Sequence, residues 1–301
     1  MIIFVKIRLH DSMTVELFSL ALADFLVATL ELGVVCMDIV DRATPLISVD
    51  LQALSRVHFT WAVNAAYLTS CWITVIVSLE RCFSVAYPFQ VKQLFTMQRS
   101  SLAVLAVYVI HIVMFVPGFV IEKMEWVNTV TQNHNISDDS DAERWIYTVV
   151  YSYATAKVET VLRMTSGLFL FSVSQSVLFV CSVWMTIALK TSARIRVQSD
   201  VFKETDNIQT QLTKKETRLL TVVLFLSLLH LVCNLPRLSL SVFFYTYPWS
   251  SAVYQRNAIN IMWAIMAVFS NVTCCSSFCG YYQLNSKYRK IVHMMFQIKD
   301  M

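Results

Sequence analysis

The chain has 301 residues, of which 56% are hydrophobic and 15% charged, with a formal net charge of +4. A soluble domain of this length cannot hide that much apolar surface. The excess is gathered into runs long enough to cross a bilayer, which takes about 20 helical residues, and in lipid such runs must be helices.

In chain order, Met1 to Val5 is apolar and Lys6 and Arg8 follow. This stretch reads as the last turn of a spanning helix whose body is missing, or as a free N-terminus. Six complete spans are then expected: Leu17–Val40, Leu51–Val85, Ser101–Ile121, Val161–Leu189, Leu219–Phe244 and Val253–Tyr282. Polar segments separate them. Glu122–Thr160 is acidic, and Thr191–Thr213 is mixed in charge and expected to be a loop. After the last span, Tyr288, Ile291, Met295 and Phe296 share a face between basic residues, as in an amphipathic helix lying on a membrane. The expected organisation is one all-α domain over 1–301: a membrane bundle over 14–284, then a surface helix and tail over 285–301.

Basic residues give the orientation. They concentrate before the first span, around Arg81, between Lys190 and Arg218, and in the tail. That side is expected to be cytoplasmic. The acidic loop on the other side holds Asn135-Ile136-Ser137, a glycosylation sequon beside Asp138 and Asp139. Of the eight cysteines, all but Cys82 fall within apolar runs. They read as small core- or lipid-facing residues rather than a disulfide framework.

Ionisable residues inside a membrane are costly and mark function. Asp24, Glu31 and Asp38 recur at seven-residue spacing, nearly two helical turns, and so line one face. They form a candidate acidic wall of a ligand cavity, or pair with neighbouring helices. Glu80 and Arg81 stand at the end of the second complete span, with Val85, Pro88 and Phe89 beyond them. Glu216, at the start of the fifth complete span, is an acid that Arg81 can meet. In Cys233-Asn234-Leu235-Pro236-Arg237, Pro236 kinks the helix between two polar residues. Asn64, Asn234 and Arg237 are candidates for the ligand pocket, together with the outer aromatics Trp61, Phe244 and Tyr245.

Glu80-Arg81-Cys82 with Val85, Pro88 and Phe89 resembles the acid–Arg–aromatic motif and following loop of rhodopsin-like G-protein-coupled receptors. Leu20-Ala21-Leu22-Ala23-Asp24 resembles the second helix of that family. Cys233 to Pro236 resembles its sixth-helix proline motif, with Asn234 in place of the usual Trp. Ser277 to Tyr281 resembles the Asn-Pro-x-x-Tyr motif, altered, with Tyr288 seven residues on as the aromatic of an eighth helix. The Cys-Asn-Leu-Pro-Arg run and the seventh-helix Phe278 look most like invertebrate receptors of the FMRFamide kind.

The resemblance implies a seven-helix receptor that lacks most of helix one. Arg81 would engage the C-terminal helix of a heterotrimeric G protein, Phe89 would enter a hydrophobic pocket on it, and Tyr281 would turn inward on activation. An inactive-state lock would join Arg81 to Glu216. Asp24 and Ser70 match two positions of the family's sodium site, where Thr273 and Ser277 replace asparagines. Val63 stands where amine receptors carry an aspartate, and Arg56 where the outer disulfide cysteine is expected, so that bridge is absent.

The expected function is a plasma-membrane receptor for an extracellular peptide. The alternatives are a chemosensory receptor and a nonsignalling receptor fragment. A transporter would show matched repeats and helix breaks, and only Pro236 makes such a break. No nucleophile–base constellation or metal spacing points to an enzyme. Expected partners are the G protein, the ligand and the bilayer. No nucleic acid, cofactor or metal is expected.

Overall fold

A computed structural model describes residues 12–44, 48–87, 93–130, 143–150, 152–199, 207–246, 256–284 and 289. Helix α1 (Ser12–Ala43) comes first. The next rod is α2 (Leu51–Ser55), a π-helical segment (Arg56–Thr60) and α3 (Trp61–Ala86). Helix α4 (Met97–Ile121) leads into a hairpin of β1 (Lys123–Val130) and β2 (Glu143–Val150). A fourth rod joins α5 (Tyr153–Leu162), a second π-helical segment (Arg163–Leu170) and α6 (Phe171–Ser199). Helices α7 (Asn207–Thr246) and α8 (Arg256–Leu284) complete the bundle.

Five of these rods are long and apolar enough to cross a membrane, and Ile261–Ser277 in α8 is a shorter apolar stretch. Their outward faces are greasy. Leu32, Leu102, Val113, Val120, Ile187 and Phe225 are each more than half exposed. In water each would forfeit roughly 1.5–3 kcal/mol of burial, whereas acyl chains cover such a belt at no such cost. The protein is thus a membrane helical bundle.

The interior is built around α3, which packs on α1, α4, α6 and α7. Near its Arg81 end, Ile73 and Val77 join Leu17, Leu20 and Ala23 of α1 and Val104 of α4. Further along, Trp61, Tyr67, Leu68 and Cys71 pack with Phe115 of α4 and Phe171 of α6. Gly118 of α4 fits flat against Trp61, where an added Cβ would lie 2.9 Å from the indole ring. The Trp61 indole N–H also donates to Glu122 at 2.8 Å, so this ring faces α4.

Two features depart from expectation. The acidic loop contains the hairpin, with Trp126 opposite Tyr147. Both strands are rich in β-branched and aromatic residues that suit a pleated surface. The expected loop over Thr191–Thr213 is largely helical, because α6 runs on to Ser199 and α7 starts at Asn207. Gln, Lys, Arg and Leu are good helix formers and prolong the rods past their apolar parts.

Asp50 ties the hairpin to the bundle. Its Oδ1 accepts from the Ala53 N–H at 2.8 Å, capping α2, and its Oδ2 accepts from the Thr148 hydroxyl at 2.9 Å. Backbone bonds Asp50 N–H to Tyr147 O, 3.0 Å, and Tyr147 N–H to Ser48 O, 2.8 Å, complete the join. The described cysteines are all free, so this attachment has no covalent part among them.

Candidate functional site

Three polar layers cross the bundle. The first lies towards the hairpin. Glu31 of α1 accepts a hydrogen bond from the Asn271 side chain of α8, with Ser270 also in reach. Arg237 of α7 donates to Asn64 of α3. Its guanidinium carbon sits 4.4 Å from the centre of the Tyr67 ring and 5.7 Å from that of Phe171. A cation over two aromatic faces is held by their quadrupoles, most strongly when desolvated. Tyr67 in turn donates to the Asn234 carbonyl. Arg237 lies within the electrostatic reach of Glu31, but the two make no ion pair.

Of the pocket candidates, Glu31, Asn64, Asn234 and Arg237 thus meet in one layer. Asp38 does not join it and has Arg42 and Asp41 as its charged neighbours. Trp61 turns to α4. Pro236 sits within continuous α7, between Asn234 and Arg237, where its ring removes a backbone donor.

The second layer surrounds Asp24. The Ser70 hydroxyl donates to it at 2.6 Å, and Ser277 and Cys274 lie against the carboxylate. Thr273 bonds instead to the Phe269 carbonyl at 3.0 Å. Below lies a cavity of about 30 Å³, lined in part by Thr74, Ser78, Ser227, His230, Thr273 and Ser277. Leu17, Leu20, Val77, Val223 and Leu226 make its wall mainly apolar. The Ser78 and Ser227 hydroxyls, 3.0 Å apart, link α3 to α7 along its wall.

The third layer is at the Arg81 end. Arg81 Nη2 is 3.9 Å from Glu80 Oε1, which also accepts from Ser12 at 3.0 Å. The Cys82 thiol reaches the Cys181 carbonyl of α6 at 3.4 Å. Glu216, Val85 and Tyr281 lie on α7, α3 and α8, but their side chains fall outside the described residues. Pro88, Phe89, Asn135 and the surface helix, apart from Arg289, also lie outside them.

Sequence reasoning does not single out four participants. Tyr67 and Phe171 look like ordinary aromatics, yet they form the shelf under Arg237. Tyr108 of α4 donates to the Ser19 carbonyl of α1 at 2.8 Å. Glu16 lies just before the apolar run beginning at Leu17, yet it is completely buried. Its place eight residues before Asp24, little more than two turns, is the only hint in the sequence. No cluster of metal-binding side chains occurs among the described residues.

No curated protein matches the chain at a significant level. The family model of the 7 transmembrane receptor (rhodopsin family) matches residues 1–276, nearly the whole length. It agrees with the helical bundle. This chain belongs to the rhodopsin family of seven-transmembrane, G-protein-coupled receptors.

Proposed function

We propose that this receptor binds an extracellular peptide at Glu31, Asn64, Asn234 and Arg237, and that binding frees Arg81 for a heterotrimeric G protein. The observation that carries the reading is the linked set on α7 and α3. Arg237 rests on Tyr67, Tyr67 holds Asn234, and both α7 residues flank Pro236. A ligand that draws Arg237 off its shelf acts on α7 beside its weakest backbone point. The far end of α7 carries Glu216 and swings outward, as hinged helices do in switching transitions. Arg81 then receives the G protein's C-terminal helix, Phe89 enters a pocket on it, and Tyr281 turns inward.

In this reading the Arg81 end and C-terminus are cytoplasmic. The hairpin side is extracellular, with Asn135 glycosylated, and 285–301 forms the surface helix. The placement of basic residues supports that orientation. Asp24 and Ser70, with Thr273 and Ser277 near them, are the ion-site candidate. A cationic, aromatic peptide terminus suits Glu31 and Asp38.

Short basic, aromatic peptides applied to cells expressing the chain, read by G-protein dissociation, test this reading. Glu31→Gln should lower the potency of an active peptide about ten- to a hundredfold, the worth of one hydrogen bond to a charged group. Unchanged potency removes Glu31 from the ligand contact. A response to small environmental molecules and to no peptide makes the chain a chemosensory receptor instead.

A further inference from the structure

The lipid-facing surface is broken between α6 and α7 by a groove of about 180 Å³. Phe179, Val183 and Ile187 of α6 recur every four residues and form one exposed bank, and Leu228 of α7 forms the other. Ser182 is buried and Thr186 half-buried, so these small residues are the floor. From Phe179 to Ile187 the channel follows α6 for about 12 Å. On the inner side of the same turns, Cys181 and Met185 pack with Cys82 of α3. The groove therefore lies in the half of the bundle that holds Arg81.

The floor hydroxyls are spent on their own helix. Ser182 donates to the Leu178 carbonyl at 2.8 Å and Thr186 to the Ser182 carbonyl at 2.7 Å. With its hydroxyl protons engaged and its open wall apolar, the groove suits hydrocarbon. Lipid tails are as apolar as leucine, so what holds a chain here rather than in the bulk bilayer is fit. A filled groove gains dispersion contacts that a gap forfeits.

A cation stands at the end of the channel. The apolar span closes at Ala188, and Lys190 lies just beyond it, three residues after Ile187 and four after Thr186. That spacing puts it on the same face of the helix. Lys190 is exposed and makes no ion pair among the described residues. Its ammonium belongs at headgroup level, with its stem along the apolar surface.

We propose that the groove between α6 and α7 binds one phospholipid of the leaflet at the Arg81 end, with an acyl chain along the channel and an anionic headgroup on Lys190. A sterol brings a neutral hydroxyl to that end, so the lysine favours the phospholipid. The site shares no residue with the ligand layer or the coupling motif and stands whatever the receptor binds outside.

The test uses the full chain in phosphatidylcholine nanodiscs doped with phosphatidylserine that carries a photoreactive diazirine on one acyl chain. After irradiation, mass spectrometry of the peptides should place label on Val183, Thr186 and Leu228 at least about fivefold above Leu102 and Val113, which face lipid on α4. The matching phosphatidylcholine probe should label the groove about fivefold less, the worth of one lysine at an anionic surface. Lys190→Gln should erase that difference, and Thr186→Phe, which fills the floor, should abolish groove labelling by both probes. Equal labelling of the groove and α4 means bulk lipid only and overturns the site. A preference that survives Lys190→Gln overturns the headgroup contact. A photoreactive sterol that labels the groove in place of the phospholipid overturns the choice of occupant. If Thr186→Phe fails to fold, the exposed Lys190→Gln and the comparison with α4 still decide.

Discussion

The two ends of the bundle treat their arginines differently. Arg237 rests on two aromatic rings, gives a hydrogen bond to a neutral amide, and has Glu31 at a distance. The unpartnered polar atom of that layer, Asn234 Nδ2, is neutral. Arg81 lies instead among carboxylates. There Glu16 Oε1 and Oε2, Glu80 Oε2 and Arg81 Nε are all buried without partners. A neutral orphan costs about 1–3 kcal/mol and a charged one more. The Arg237 layer is therefore a settled shelf, and the Arg81 layer is the strained end, where a change of state relieves most.

The largest effect should come from removing the cation of the strained end. Arg81→Ala leaves two buried carboxyls without a counter-charge and should cost about 3–5 kcal/mol, read by thermal unfolding in nanodiscs. A loss of under about 1 kcal/mol would mean that the carboxyls are not the strained groups.

Arg237→Met should cost less, about 2–3 kcal/mol, from the lost ring contacts and the Asn64 bond. If it destabilises more than Arg81→Ala, the contrast between the ends is reversed. Tyr67→Phe keeps the shelf and removes only the donor to Asn234. Its cost should be about 1–2 kcal/mol by the same melting measurement, with Arg237 still seated. A larger loss would show that the hydroxyl, rather than the ring, organises the layer.

Much of this was legible in the chain. Apolar runs gave the rods, because lipid forces helix on any segment that crosses it. The seven-residue spacing put Asp24 and Glu31 on the bundle face of α1, where Ser70 and Asn271 meet them. The rest depends on contacts between residues far apart in sequence. Tyr67 meets Asn234 across 167 positions, and no local pattern encodes that pairing. Trp61 looked like a pocket aromatic, but the space left by Gly118 draws it to α4. Glu16 looked like the edge of a span because its hydropathy belongs outside one. Its burial comes from where α3 and α4 cross α1. The hairpin was hidden inside a segment whose acidic middle dominated its composition.

Asp50 gives the hairpin an unusual kind of fastening. One carboxylate both starts α2 and holds Thr148, so hinge and clasp are the same side chain. A disulfide in that role would make the hairpin's position a matter of redox history. A clasp of hydrogen bonds is indifferent to reductant and opens and recloses without breaking a covalent bond. The seat of the hairpin on α2 is therefore governed by an equilibrium, which solvent or temperature can shift.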